Sequence, residues 1–121
     1  MALTLRGTFL SIPEGITTGC VSSGVGYMGT VNGKVYAVTF LTGVIAPALA
    51  SLDEKVVAVA TNDSVLFIAT DKGKIYGYPI SNGNGVLTLL AEVDKLIVNM
   101  LVATYLYVAL DNGTVISYTI S

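Results

Sequence analysis

A turn motif that occurs three times at constant spacing is the feature that most constrains this sequence. It reads Val-Asn-Gly-Lys-Val-Tyr at 31–36, Asp-Lys-Gly-Lys-Ile-Tyr at 71–76 and Asp-Asn-Gly-Thr-Val-Ile at 111–116. Its glycines, Gly33, Gly73 and Gly113, lie 40 residues apart, so residues 1–120 align as three ungapped rows. Self-similarity at a fixed period indicates one structural unit repeated along the chain. We therefore expect a single domain over residues 1–121 with three repeats, 1–40, 41–80 and 81–120.

Four short apolar runs separated by turn residues make up each row. This spacing, with frequent valine, isoleucine, threonine and tyrosine, is typical of strands, and no segment shows a sustained helical stripe. We label the runs d, a, b and c in their order along a row. The predicted strands are d at 3–11, 44–51 and 85–91; a at 16–21, 56–61 and 96–102; b at 25–30, 65–70 and 105–110; and c at 34–40, 74–78 and 114–120.

The residues between the runs predict tight hairpins. Asn-Gly at 32–33 and at 112–113 is the strongest short hairpin signal, and it predicts a turn in which both residues have positive φ. Lys72-Gly73 is a weaker version of the same turn. Thr42-Gly43 and Ser81-Asn82-Gly83 predict further hairpins between a c run and the next d run.

An excess of apolar residues indicates that the predicted sheets are covered on both faces. Hydrophobic residues make up 53% of the chain and charged residues only 12%, against roughly 25% charged in an average soluble domain. In the first c run, Tyr36 and Val38 alternate with Val35 and Ala37, so neither face carries a charge in mid-strand. A stack of four-stranded sheets around an axis satisfies this pattern.

Charge and residue usage argue against several classes of function. A net charge of −2 with six basic residues argues against nucleic-acid binding, which needs a clustered positive surface. The chain has no histidine and only one cysteine, Cys20, so we expect no disulfide framework, no metal site and no cofactor. No apolar run approaches the ~20 residues of a membrane span. The first residues show no secretory signal, so we expect a cytoplasmic protein.

The repeated motif resembles a known family pattern. Gly33-Lys34-Val35-Tyr36-Ala37-Val38, followed by Thr42-Gly43, is similar to the β-propeller blade repeat of the quinoprotein and WD40-like superfamily. The second row matches it at 66–71 and 73–76, and the third row matches less closely. The resemblance implies an all-β propeller with one four-stranded blade per row. The tryptophan that often ends the quinoprotein motif is absent, so no family cofactor residue is carried over.

Counting the strands predicts a dimer. In this family a d strand completes the blade begun by the preceding a, b and c strands, so run 3–11 has no blade and run 114–120 has no d partner. Propellers typically have about 4–8 blades, and six is the only multiple of three in that range. We expect a homodimer that closes one six-bladed ring, with residues 3–11 of each copy paired to 114–120 of the other. A β-trefoil monomer, which also has three repeats of four strands, is the alternative.

Two groups of polar residues are the candidate sites. Alternating strand direction places the d–a and b–c turns on one rim, where most charges fall, and run a lines the central channel. The channel candidates are Thr18, Cys20 and Asn99. The candidate interaction rim consists of Glu14, Asp53, Glu54, Asp71, Asp94, Asp111, Lys55, Lys72 and Lys95.

The short turns favour a binding role over catalysis. Function is usually hosted on loops, and this chain has only minimal ones. We therefore expect no enzyme but a non-catalytic scaffold or protein-interaction module with an unknown protein partner. Coding half a ring suits a compact genome, so a viral or structural protein is expected. A small-ligand or carbohydrate-binding, lectin-like protein is the alternative.

Overall fold

Twelve strands account for the regular structure of the described residues. The computed structural model describes residues 1–81 and 85–121. Residues 1–15 contain no strand. The strands are β1 (Ile16–Ser22), β2 (Val25–Thr30), β3 (Lys34–Thr39), β4 (Val44–Ile45), β5 (Ala50–Ser51), β6 (Val56–Thr61), β7 (Val65–Thr70), β8 (Lys74–Pro79), β9 (Thr88–Glu92), β10 (Ile97–Val102), β11 (Tyr105–Leu110) and β12 (Val115–Thr119).

The strands form three separate antiparallel sheets, which we call blades 1, 2 and 3. Blade 1 has the order β1-β2-β3-β4, with β5 also paired to β3. Blade 2 is β6-β7-β8-β9, and blade 3 is β10-β11-β12. Pro47, which cannot donate a ladder hydrogen bond, lies between β4 and β5 and accounts for the split of the predicted strand 44–51. Among the described residues, β12 has no strand on its outer side.

The predicted a, b and c strands are confirmed to within about two residues in all three rows. The d strand of the third row starts at Thr88 instead of 85, and run 3–11 is not a strand in the isolated chain. The predicted hairpin at Ser81-Asn82-Gly83 falls mostly outside the described residues. The trefoil alternative is wrong, because the repeats form three independent sheets.

The expectation of ungapped rows is also wrong by one residue. In β9 the register passes from Ile75–Ala91 directly to Tyr76–Leu89, which leaves Leu90 as an extra, bulged residue. The offset arises before this bulge, because the outer strand of blade 1 has two extra residues where β9 has only one. Ile97, 41 positions after Val56, takes the equivalent place at the start of the inner strand, and the turn after β10 is one residue shorter than the turn after β6, which restores the spacing of 40.

The turn between b and c differs from the two-residue type that Asn-Gly predicted. Gly33, Gly73 and Gly113 have φ of 83°, 78° and 86°, whereas Asn32 and Asn112 do not have positive φ. The amide of each glycine donates to the carbonyl three residues earlier, at 3.1 to 3.3 Å. This is a three-residue loop closed by one left-handed glycine. A two-residue turn with positive φ at both positions occurs instead at Ser23-Gly24, with φ of 50° and 78°.

Two apolar layers hold the blades together. Tyr27, Val35, Val56, Leu66 and Ile68 belong to the layer between blades 1 and 2. The layer between blades 2 and 3 contains Ala58, Phe67, Ile75, Ile97, Met100 and Val108, among others. Both faces of blade 2 are therefore buried, as the composition predicted, whereas blades 1 and 3, in the part of the chain that the structure describes, each pack against only one other blade.

The inner strands of the three blades are neighbours around a common axis. β6 packs against β1 on one side and β10 on the other. The result is a half-ring of three blades, in which, over residues 1–81 and 85–121, no blade packs against the outer face of blade 1 or of blade 3.

Candidate functional site

The d–a and b–c turns do lie on one rim, and hydrogen bonds join them. The d–a turn that precedes each blade accepts a bond from that blade's b–c turn. These bonds run from Val31 N–H to Gly15 O (2.9 Å), from Asp71 N–H to Lys55 O (3.0 Å) and from Asp111 N–H to Leu96 O (3.0 Å).

The same turns also connect neighbouring blades. Leu52 N–H donates to Gly33 O at 2.9 Å, and Val93 N–H donates to Gly73 O at 2.8 Å. Each of these d–a turns therefore bridges the b–c turn of the blade before it and the b–c turn of the blade after it. The rim is a continuous chain of turns tied by backbone hydrogen bonds.

Two rim glutamates are held by side chains of their own blade. Glu14 accepts from the Tyr36 hydroxyl at 2.8 Å, and the Lys34 ammonium lies 3.6 Å away. Glu54 accepts from the Thr70 hydroxyl at 2.8 Å and lies 3.4 Å from Lys74. The glutamate–lysine pair of this polar clamp thus recurs at equivalent positions of blades 1 and 2, whereas the hydroxyl donor comes from a c strand in blade 1 and from a b strand in blade 2.

The hydrogen bonds of these clamps shift their pKa values. The Tyr36 hydroxyl bond, with Lys34 nearby, lowers the pKa of Glu14, and Glu14 in turn raises the pKa of Tyr36. The Glu54 carboxylate raises the pKa of Lys74. These shifts favour the charged forms of Glu14 and Lys74 and the neutral hydroxyl of Tyr36, so at neutral pH the clamps act as structural ion pairs and hydrogen bonds.

The remaining rim candidates are exposed and of mixed sign. No group of three His, Cys, Asp or Glu side chains within 1–81 and 85–121 is placed to hold a metal ion. The exposed rim residues are Asp53, Lys55, Asp71, Lys72, Asp94, Lys95 and Asp111. Alternating charges of this kind offer hydrogen bonds and ion pairs to another protein surface.

Among the channel candidates, Thr18 makes a contact between blades. Its hydroxyl accepts from Val59 N–H at 3.3 Å, while the neighbouring Thr17 hydroxyl donates to Val56 O at 2.5 Å. These two threonines fasten inner strand β1 to inner strand β6. No signal in the sequence predicts these bonds, because the threonines and their partners in β6 are about one repeat apart and meet only when the blades pack.

The other two channel candidates, Cys20 and Asn99, lie in different blades and do not form a common site. Cys20 is half-buried, and burial raises the pKa of its thiol to about 11, so the thiol is protonated at neutral pH. Asn99 is exposed, and its side-chain oxygen accepts from Met100 N–H at 2.9 Å. Cys20 belongs to blade 1 and Asn99 to blade 3.

A bulge repeated in every inner strand was not predicted. The register of the a–b pair skips one residue at Thr17, Val57 and Val98, at the same point of each blade. Bulges bend a strand and redirect its side chains. The sequence signal is weak here, since a threonine and two valines are ordinary strand residues.

On the opposite rim, a side-chain bond joins blades 1 and 2. The buried Ser22 donates to the carboxylate of Asp63 at 2.5 Å. Asp63 itself has a φ of 75°, within the turn between β6 and β7.

Residues at the outer edge of blade 3 are more exposed than the equivalent residues of blades 1 and 2. Val35 and Ile75 are 0% and 1% exposed, whereas Val115, at the same place in blade 3, is 62% exposed. Gly33 and Gly73 are packed against carbonyl groups of the next d–a turn, whereas Gly113 has no atom within 4 Å of where a Cβ would stand. Blade 3 therefore presents an open edge.

An apolar cavity of about 440 Å³ opens between blades 2 and 3 near this edge. Phe67, Ile75 and Leu90 line it from blade 2, and Leu106, Tyr118 and Ile120 line it from blade 3. We call this cavity the outer groove.

The first residues of the chain are apolar and exposed. Leu3, Leu5 and Phe9 are 100%, 91% and 60% exposed. Phe9 contacts Phe40 of blade 1, with ring centroids 6.1 Å apart. Among the described residues, no helix is long and apolar enough to cross a membrane.

Solved structures with the same arrangement of blades establish the fold. The chain aligns with the computationally designed Ika4 protein over 98% of its own length and 96% of that chain, with 15% identity and a TM-score of 0.60. It aligns with the β-propeller domain of Cps50 (Swd1) from Myceliophteria thermophila over 94% of its length, with 13% identity and a TM-score of 0.69. The fold is a β-propeller.

The likeness extends to the structure of U3-55K, with 11% identity, a TM-score of 0.72 and 93% of this chain aligned. The chain spans only 41% of the Cps50 chain and 38% of the U3-55K chain. No protein-family model and no curated protein sequence matches this chain. At these identities the comparisons concern architecture.

Proposed function

We propose that this protein is a non-catalytic protein-interaction scaffold that acts as a homodimer, with two half-rings forming one six-bladed ring. The observation that carries the proposal is the open edge of blade 3 at Val115 and Gly113, together with two end blades that, among the described residues, each pack against only one other blade. A second copy related by a two-fold axis would cover both ends at once. A role in a virus or another structural assembly fits a chain that encodes half of a symmetric ring.

The rim is the surface that we assign to the protein partner. Its exposed aspartates and lysines alternate in sign around the turns, and its two glutamates are already held by their own blades. Protein interfaces combine such polar rims with hydrogen bonds to the partner. The short turns keep this surface flat, which suits a broad protein contact better than a small molecule.

The oligomeric state is the first test. Light scattering of the 121-residue chain should give the mass of two chains of 12.6 kDa each. A mass of one chain at micromolar concentration would count against the homodimer.

The alternative of a small-ligand or lectin-like protein has its own measurement. The outer groove is large enough for a small molecule, and its walls are mainly apolar. A thermal-shift screen with glycans and apolar metabolites should leave the melting temperature unchanged if the groove is filled by a second copy. A rise with one compound class would favour the ligand-binding alternative.

A further inference from the structure

The two complete blades fix how a second copy would add the missing strand to blade 3. We infer that residues 10–12 of the partner copy pair with β12 in one register: Ser11 opposite Thr114, Leu10 opposite Val115, and Ile12 N–H bonded to Gly113 O. This inference rests on the proposed homodimer and specifies its interface.

Blade 1 supplies the first template. Ser51 lies opposite Lys34 and Ala50 lies opposite Val35. Leu52, the next residue, donates its N–H to Gly33 O.

Blade 2 repeats the same arrangement with its own fourth strand. Glu92 lies opposite Lys74, Ala91 lies opposite Ile75, and Val93 N–H donates to Gly73 O. The two templates agree in register at these three positions and differ further out, where the outer strand has two extra residues in blade 1 and one in blade 2.

The spacing within the d–a turn identifies the corresponding residue of the first row. Leu52 stands three residues before Lys55, whose carbonyl accepts from the next b–c turn, and Val93 stands three residues before Leu96. Gly15 accepts the equivalent bond in blade 1, so three residues earlier is Ile12. Among the described residues, neither Ile12 N–H nor Gly113 O takes part in a rim bond of this kind. Ile12 N–H is the donor, and Gly113 O the acceptor, that such a bond would need.

The space around blade 3 suits the incoming segment. In blade 2, Ile75 is buried and paired with Ala91 of the outer strand. The equivalent Val115 is exposed and has no such partner among the described residues, so the position opposite it is open to Leu10. The residues before position 10 would continue along β12 past the outer groove. Leu3, Leu5 and Phe9 supply exposed apolar side chains to fill it, which would stabilise the pair by removing apolar surface from water.

The position of the segment in the isolated half-ring agrees with this assignment. Phe9 contacts Phe40, whose c strand belongs to blade 1. Phe40 lies on the same side of that strand as Tyr36 and Val38, the side turned away from blade 2. In a closed ring this face of blade 1 adjoins blade 3 of the partner, so the segment already lies beside the gap that it would bridge.

A disulfide cross-link tests the register. Residues directly opposite in an antiparallel pair have Cα atoms roughly 4.5–5.5 Å apart, within the range that a disulfide spans. In a Cys20→Ser background, Ser11→Cys with Thr114→Cys should oxidise to a covalent dimer that reductant reverses. A second aligned pair, Leu10→Cys with Val115→Cys, repeats the test if the first variant fails to fold.

The matched control moves one cysteine by two residues on the same side of the strand. Ser11→Cys with Ile116→Cys places the thiols on a diagonal of about 7–8 Å, too far for a disulfide without backbone movement. We expect at least a tenfold slower cross-link for this pair. Equal rates for the two pairs would overturn the register.

The remaining outcomes separate this inference from the proposed function. A disulfide within a single chain would overturn the exchange between copies. If the unmodified protein has the mass of two chains but neither aligned pair cross-links, the dimer survives and this register is wrong. If the unmodified protein has the mass of one chain, the homodimer itself fails.

Discussion

Gly33 lies so close to the carbonyl oxygen of Leu52 that a Cβ on Gly33 would come within 2.2 Å of it. The amide of Leu52 also donates a hydrogen bond to the carbonyl of Gly33. Glycine is therefore required twice at position 33, once by its positive φ and once by the backbone of the next d–a turn. The motif that is most visible in the sequence marks the place where one blade is tied to the next.

Gly33→Ala should destabilise the protein more than an ordinary glycine substitution in a turn. An alanine in left-handed backbone costs roughly 1–2 kcal/mol, and here it must also displace the backbone at Leu52. Gly24→Ala is the matched control, because Gly24 has a similar φ of 78° but no atom within 4 Å of a Cβ. Urea denaturation should show a larger loss for Gly33→Ala, and equal losses would mean that the close contact has little energetic effect.

Loss of apolar volume in the layer between blades 1 and 2 should destabilise the protein. Leu66 is fully buried between blades 1 and 2, so Leu66→Ala should lower the free energy of unfolding by about 2–5 kcal/mol. The same substitution at Leu41, which is 94% exposed, should change it by less than about 0.5 kcal/mol. Thermal or chemical denaturation of both variants checks the difference.

The sequence was sufficient to predict the blades but not the details of their contacts. Strand spacing and the apolar character of both strand faces led to three stacked sheets, and Val35, Ile75 and Leu66 are buried as that pattern requires. Local periodicity is the strongest signal in a sequence, and it operates within one sheet. The candidate rim followed from strand direction alone, since turns alternate between the two ends of a sheet.

The features that were missed depend on distances between blades. The bonds of Thr17 and Thr18 to strand β6 join residues about one repeat apart, and no local pattern encodes them. The 41-residue spacing between Val56 and Ile97 escaped notice because the glycines on either side keep their period of 40 residues. The Asn-Gly turn was assigned the wrong type because the preceding residue also belongs to the loop.

The clamp at Glu14 should make stability depend on pH in the acid range. The folded state lowers the pKa of Glu14 below 4.5, so the ionised carboxylate stabilises the folded chain. This contribution is fully present above pH 4.5 and is lost as the pH falls through the lowered pKa. Glu14→Gln should therefore reduce the melting temperature at pH 7 and flatten its dependence on pH below 4.5.

Tyr36→Phe is the matched test of the cause, because it removes only the hydroxyl that donates to Glu14. Its melting temperature should also vary less between pH 3 and pH 5 than that of the unmodified protein. Unchanged pH profiles in both variants would show that Glu14 is not held by Tyr36 in solution.

Cys20 should react slowly with thiol reagents while the protein is folded. Burial raises its thiol pKa to about 11, so very little thiolate is present at pH 7.5. Iodoacetamide labelling followed by mass spectrometry should be at least tenfold slower in buffer than in denaturing urea. Equal rates in the two conditions would contradict the burial of this side chain.

Val115→Asp should separate the half-rings, because the substitution puts a charge opposite the partner's Leu10 in the proposed interface. An unpaired carboxylate buried against apolar side chains is strongly unfavourable, whereas the same residue is solvated in the isolated half-ring, where Val115 is exposed. Val44→Asp is the control, since Val44 is almost equally exposed but lies on β4, whose blade already has its outer strand. Light scattering should give one chain for Val115→Asp and two for Val44→Asp, each with a melting transition that shows a folded half-ring. Two chains for both variants would place the contact between copies elsewhere on the molecule.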